Sequence, residues 1–233
     1  MDFQESKQII SDSKNIYLIT SEEPEAIAST LALFYTLKES GKNVNLLMEA
    51  LPGNLGFLAP SLDFISYPKN FVISIPSNVA KISQIYYEKN DEALKIHLTL
   101  ENGHIKKDNI AFYFSEAKPD LIIAIGVKNF AEELPKKLNS FGFLLDSPIL
   151  NIDNSPENKK FGKINLVEQK SLAELVSALA ESSRKEYAMC LLASLVVHTD
   201  NFRKNLTAEV FEIAANLMKK GGNLQEIINN LKL

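Results

Sequence analysis

The 233-residue chain has no tryptophan, one cysteine and three histidines. A lone thiol cannot close an intrachain disulfide, so no disulfide framework holds this fold, and a reducing cytoplasmic setting is expected. Cys190 lies between Met189 and Leu191 in an apolar run, where an inert core thiol is expected rather than a nucleophile. No apolar run reaches membrane-spanning length, so no membrane partner is expected. The opening "MDFQESKQII" is acidic and amphipathic, unlike a signal peptide. Basic charge is not in excess either. Lys and Arg number 25 against 29 Asp and Glu, a formal net charge of −4. No global field therefore draws in nucleic acid, although a local basic patch remains open. The chain also lacks a Walker loop, a GxGxxG stretch, zinc-ligand spacing and internal repeats. The missing tryptophan carries no functional inference.

What is present is an ordinary globular composition, 45% apolar and 23% charged. Residues 2–12 pattern as an amphipathic helix, and "NIYLIT" (15–20) as a buried strand. Ser21 is a candidate cap for a helix from Glu22 to about Ser40, and "NVNLLME" (43–49) is a second strand. Strand, helix, strand at this spacing is a βαβ unit, which implies a parallel sheet. "PDLIIAIGV" (119–127) and "ILNID" (149–153) are further buried strands, with a helix expected near 129–140 and a short strand at "KINLV". From Ser171 the chain is helical: "SLAE" is a capping box before 171–183, a mostly apolar core helix follows, Thr207 starts another, and Asn223 with Glu226 opens the last. The expectation is an α/β fold, a mostly parallel sheet flanked by helices with a helical C-terminal part. It forms one domain over 1–233.

Residues 68–116 interrupt this pattern. "FVISIP" is strand-like, Leu94, Ile96, Leu98 and Leu100 alternate with polar residues, and "NIAFYF" (109–114) alternates again. Asn102-Gly103 reads as the turn joining these last two segments into an antiparallel hairpin. His97 and His104 are expected to be solvated on it. Both apolar faces of such a hairpin need cover, so 91–115 is a candidate surface for a homodimer or a protein partner. A decoration folded onto its own sheet is the competing reading.

Four stretches carry chemistry. They are "EEPEAIASTLAL" (22–33), "DLIIAIG" (120–126), "NIDNSPENKKFGKINL" (151–166) and "VHTDNF" (197–202), the last followed by a helix and "KKGGNLQEI". In this order they resemble the motifs of the DHH family of phosphoesterases, the group with RecJ-like nucleases, nanoRNases and pAp phosphatases. The likeness covers most of 12–233 outside the 68–116 insertion. The family's first motif, Pro-Asp-Gly-Asp-Ala-Ile-Gly-Ser, places Glu23 and Glu25 at its two aspartates and Ile19 at the preceding histidine. Gly126 stands at the second-motif aspartate. Asp153 is kept from Asp-His-His, but Asn154 and Ser155 replace both histidines. His198 falls at the fourth-motif aspartate, unless a gapped alignment uses Asp200.

The resemblance implies a site that holds two metal ions, usually manganese, for phosphoryl transfer to water. Of its ligand positions only Glu23, Glu25, Asp153 and His198 can still ligate, and Asn154 and Ser155 are weak ligands, so no metal cofactor is expected. Asn158, Lys159 and Lys160 match or flank the position near the substrate phosphate. Lys163 and Lys136-Lys137 add to a possible anion-gathering patch. Each residue also has a plain structural role. Glu22, Glu23 and Glu25 suit the first turn of a helix. Asp153 and Asn158 suit turns, His198 a hydrogen-bonded half-buried imidazole, and the lysines a solvated face. Active family members carry a C-terminal domain with a Gly-Gly-Gly-His loop, and this chain ends about where that domain is expected to begin.

Three functions stay open at this point. The favoured one is a non-catalytic, phosphoesterase-like pseudoenzyme that binds a nucleotide, a short oligonucleotide or a protein. The second is an active phosphoesterase with a rearranged manganese site, acting on short oligonucleotides or nucleotide phosphoesters. The third is an assembly subunit that contacts partners through the insertion.

Overall fold

The computed structural model describes residues 2–48, 51–59, 69–116, 118–133 and 147–232. They divide into two compact units, one formed by Met1–Pro68 with Lys118–Leu233, the other by Lys69–Ala117.

The first unit is built on a five-stranded parallel sheet. Helix α1 (Asp2–Asp12) leads into β1 (Asn15–Thr20), α2 (Pro24–Glu39) and β2 (Asn43–Leu47). After a 3₁₀ turn (Gly53–Leu58) and the second unit come β7 (Leu121–Ile125), α3 (Phe130–Glu133), β8 (Ile149–Asp153) and β9 (Ile164–Val167). The strand order is β2-β1-β7-β8-β9, and every pairing is parallel. Chain direction across the sheet reverses between β1 and β7. In open α/β sheets a crevice forms at such a switch point, outside the carboxyl ends of the strands.

Both sheet faces are covered, which is why these strands are continuous apolar runs rather than alternating ones. In β1, Ile16 and Leu18 join the large core, whereas Tyr17 and Ile19 join a smaller cluster with Leu47, Ile122, Ala124, Val127 and Phe130. Ile19, at the position where the resemblance places a histidine, is wholly buried. The large core is closed by α2 and by the C-terminal helices α4 (Leu172–Leu179), α5 (Lys185–His198), α6 (Ala208–Lys219) and α7 (Leu224–Leu231). Helix α2 is buried without interruption from Ala26 to Leu37, and the Ser29 and Ser194 hydroxyls meet at 2.8 Å between α2 and α5. Among the described residues no helix is long and apolar enough to cross a membrane.

Local signals decide the helix starts. The capping box at Ser171 forms as expected, with Ser171 Oγ accepting from the Glu174 amide and the Glu174 carboxylate accepting from the Ser171 amide. Thr207 and Asn223 cap α6 and α7. Two expectations need correction. Helix α4 stops at Leu179, not near 183. Ser21 does not cap α2: the helix begins at Pro24 with Glu23 at the N-cap position and no side-chain cap. Proline at the first position fixes φ there and needs no donor partner, so the start moves past Ser21. The helix expected near 129–140 is described only over Phe130–Glu133. Lys136 and Lys137 lie outside the described residues.

The second unit consists of two antiparallel ribbons, β3 (Lys69–Ser74) with β6 (Ala111–Glu116) and β4 (Ala80–Lys89) with β5 (Leu94–Gly103). The β4–β5 hairpin is nested in sequence between β3 and β6. This corrects the expected hairpin. Residues 94–100 pair backwards with β4, not forwards with 109–114. The turn lies at Asn90–Ala93, where Asn90 Oδ1 accepts from the amides of Glu92 and Ala93, an Asx-turn. Gly103 ends β5 at φ +94°, and a Cβ there would lie 2.3 Å from the Val79 carbonyl oxygen. The glycine therefore marks a close backbone approach and not a hairpin tip. His97 is stacked on Tyr86 with ring centroids 4.5 Å apart, so it is only partly solvated. His104 is exposed.

Candidate functional site

The four motif stretches meet at the carboxyl ends of β1, β7 and β8. Strand β8 ends at Asp153, which is almost wholly buried. Its Oδ1 accepts from the Asn154 amide at 2.8 Å and its Oδ2 from Asn158 Nδ2 at 2.7 Å. Asn158 is itself a crossing point. Its Nδ2 also donates to the Val127 carbonyl at 2.9 Å, and its Oδ1 accepts from Asn151 Nδ2 and the Lys160 amide, both at 2.7 Å. Lys160 has φ +50°, a left-handed conformation unfavourable for a side-chain-bearing residue. The bond to Asn158 holds it there. Asn165 extends the network: its Oδ1 takes a second bond from Asn151 and one from the Gly162 amide. Asn158, read from the motif as a phosphate neighbour, thus directs its polar atoms into the protein.

Glu25, one of the two candidate carboxylates of the first stretch, is tied down in the same way. It lies in the first turn of α2 and is mostly buried. Its Oε1 lies 2.8 Å from the Leu172 amide, 3.1 Å from Asn154 Nδ2 and 3.1 Å from His198 Nδ1. One carboxylate therefore caps the first residue of α4, holds the loop after β8, and pairs with the end of α5. This is a larger structural role than a favourable charge near a helix N-terminus. His198 is pushed above the usual imidazole range, first by its hydrogen bond to Glu25, with Glu25 and Glu174 charges adding to it. Burial and Lys204 oppose the shift. The imidazole so held carries positive charge more readily than a free one.

The remaining positions are dispersed. Glu23 is exposed at the N-cap of α2. Ser155 Oγ accepts from the Glu157 amide at 3.2 Å, a local turn. The Lys159 and Lys160 side chains are exposed, and the Lys159 amide donates to the Lys128 carbonyl. Gly126 sits at φ +67°, where a Cβ would come within 2.6 Å of Ala26 Cβ and 3.1 Å of Ser21 Oγ. An aspartate cannot occupy this backbone without displacing α2. Ser21 Oγ, facing the same point, is buried with no hydrogen-bond partner among the described residues.

After His198 the chain makes an unusual turn. Asp200, Asn201 and Phe202 all have positive φ, at 49°, 56° and 56°. Such runs are costly for residues with a Cβ. The turn is held by Thr199, whose Oγ1 accepts from the Phe202 amide and whose carbonyl accepts from the amides of Arg203 and Lys204. Asn205 Nδ2 bonds the His198 carbonyl. Asp200 pairs with Lys204 at 3.8 Å and does not enter the Glu25 network.

Of the four residual ligand candidates, the structure joins Glu25 to His198 directly and to Asp153 through Asn154. Glu23 is not joined to them. Among the described residues no three His, Cys, Asp or Glu side chains converge as a bound cation requires. The donor set does not fit the two-manganese site that the resemblance implies. Glu25 offers an oxygen already shared by three donors, and Asn154 and Gly126 stand where a ligand is needed. Sequence reasoning missed Asn151, Asn165 and the Leu172 amide as parts of the network. The Asn-x-Asp and Asn-Leu spacings were the available signal for the two asparagines. Nothing in the sequence signalled the amide.

No family model and no curated protein matches the chain. Among solved structures, it is similar to an exopolyphosphatase-related protein from Bacteroides fragilis, with a TM-score of 0.66 and 16% identity. The match covers 99% of this chain and 59% of that one, so the chain spans well under two thirds of its structural neighbour. At this identity the likeness is one of fold, and the chain has the α/β fold of an exopolyphosphatase-related protein.

Proposed function

We propose that this chain is a non-catalytic relative of the DHH phosphoesterases, with the metal site converted into a structural hydrogen-bond network and a phosphorylated ligand of nucleotide type bound at the crevice above it. The observation that carries the reading is the single Glu25 oxygen shared by the Leu172 amide, Asn154 and His198. All three bonds fall on Oε1, so this carboxylate is held by the very groups that would flank it as ligands, and Asn154, a neutral amide, stands where the family pattern has an imidazole. The crowding at Gly126 removes a second ligand position. The fold likeness supports a phosphoesterase-type scaffold. The switch point at the carboxyl ends of β1 and β7, where ligands bind in open α/β sheets, and the exposed Lys159 and Lys160 in the loop after β8 support an anionic ligand.

The test has two arms. Purified protein dialysed after manganese loading should retain less than one manganese per chain, and it should not hydrolyse pAp or a dinucleotide when manganese is added. Calorimetric titration with pAp or a dinucleotide should give heat that weakens when Lys159 and Lys160 are both changed to Ala. Manganese-dependent hydrolysis that disappears in Asp153→Ala refutes the non-catalytic reading. Absence of binding by either ligand refutes the nucleotide part.

A further inference from the structure

The second unit presents an apolar face to solvent. In an antiparallel ribbon, directly opposed residues project to the same side. The register therefore puts Ile85 with Leu98, Tyr87 with Ile96, and Lys89 with Leu94 on one face of β4–β5. The other face carries Tyr86 with His97, Gln84 with Thr99, and Glu88 with Lys95. The ribbon is thus sharply amphipathic, yet its apolar face is open: Ile85 is 68% exposed, Tyr87 72%, Leu94 61% and Ile96 48%. Among the described residues each ribbon strand pairs on one side only. A two-stranded ribbon with bare edges and an uncovered apolar face is marginal in water by itself.

We infer that the apolar face of the β4–β5 ribbon is covered by the same face of a second copy of this chain. Three observations select that occupant. The first is area. With Leu100, also exposed, the open side chains amount to roughly 600 Å², at the upper end of what a monomer leaves uncovered. Two such faces remove about 1,200 Å² together, the lower bound of a standard stable interface. The second is charge. The ribbon and its turn carry Lys81, Lys89 and Lys95 against Glu88, Asp91, Glu92 and Glu101, and Lys81 and Glu101 already pair at 2.8 Å. These near-balanced charges give no field to attract nucleic acid or an anionic membrane, and Lys89 is the one charged residue in register on the apolar face itself, so a like face can cover it without burying carboxylates. The third is symmetry. An isologous contact covers both exposed faces with one patch, with no complementary surface needed elsewhere. This inference goes beyond the crevice reading and does not depend on it.

Sedimentation velocity of the full chain at about 50 µM, a concentration well above the dissociation constants of typical stable dimers, should give twice the 26.0 kDa chain mass. The double variant Ile85→Lys/Tyr87→Lys should run as a monomer, with its dissociation constant raised at least about 100-fold. As a positional check, Tyr87→Cys should form a disulfide-linked dimer on mild oxidation, whereas Gln84→Cys, on the opposite face, should not. Cys190 is wholly buried and stays silent. The cysteine pair decides the matter if the double variant fails to fold. A wild-type chain that stays monomeric, a double variant that associates like wild type, or equal cross-linking from both cysteine positions overturns the inference.

Discussion

Replacing Glu25 separates a structural network from a relict metal site by the sign of its effect on stability. Glu25→Ala leaves three donors without their acceptor: the Leu172 amide, Asn154 Nδ2 and His198 Nδ1. At roughly 1 kcal/mol for each partly buried donor, the loss is about 3 kcal/mol. For a chain of this length, 1 kcal/mol moves the melting temperature by about 2–4 °C, so a drop of about 6–12 °C is expected in a thermal melt followed by circular dichroism. Glu25→Gln keeps an acceptor for the amide and for Asn154 but loses the charge that faces His198, so its cost is smaller and depends on pH. Because Glu25 raises the folded-state pKa of His198, the pair's contribution is complete below the ordinary imidazole value of about 6.5 and is lost as pH rises through the folded value. The gap between wild type and Glu25→Gln should therefore be widest near pH 6 and shrink toward pH 9. Catalytic carboxylates usually cost stability, and their removal often raises it. A Glu25→Ala protein that melts at or above the wild-type temperature refutes the network argument.

Gly126→Asp, which restores the residue type that the family resemblance places there, should destabilise by about 3 kcal/mol in urea unfolding, because its Cβ meets Ala26 and its φ is left-handed. It should not create manganese binding. Asn158→Ala should cost about 2–4 kcal/mol, since it frees Asp153, the Val127 carbonyl and the Lys160 amide at once. Chemical denaturation measures it, and a loss below 0.5 kcal/mol contradicts the role assigned here. Burial pushes the Cys190 thiol far above the range of reactive cysteines. Labelling by a thiol reagent in native buffer should therefore track global unfolding and accelerate only in denaturant.

The sheet was legible because its strands are buried on both faces, so "NIYLIT", "LIIAI" and "ILNID" stand out as apolar runs without any reference to partners. The capping box at Ser171 was legible because it is local. Strand β4 was not. A register shift at Ile82–Gln84 inserts an extra residue, which spaces Ile82 and Ile85 three apart and breaks the alternation that marks a strand. Without β4, the alternating residues 94–100 had only the forward partner, and Asn102-Gly103 looked like its turn. The position of Glu25 in a first helical turn was readable. Its partners were not, because Asn154 and Leu172 lie 129 and 147 residues away. Of that network, pattern reasoning could reach only the short-range parts around Asp153 and Asn158.

The nesting of ribbon within ribbon also bears on how the chain folds. Strands β1 and β7 are neighbours at the centre of the sheet, yet Asn15 and Asp120, which bond at their start, are 105 residues apart. Closing so long a loop early is entropically costly, and long-range strand pairing slows folding. The β3–β6 pairing places Lys69 opposite Glu116. Once that ribbon zips, the excursion between β2 and β7 enters and leaves at one spot, and the remaining loop is roughly halved, a gain of about 0.6 kcal/mol in closure entropy. The β4–β5 hairpin, closed by a local Asx-turn, is the contact with least chain to search. The expected sequence of events is from the inside outward, with the hairpin first, then β3–β6, then the central strands. The same side-by-side entry and exit make this a point where a segment can be acquired or lost while the parallel sheet keeps its register.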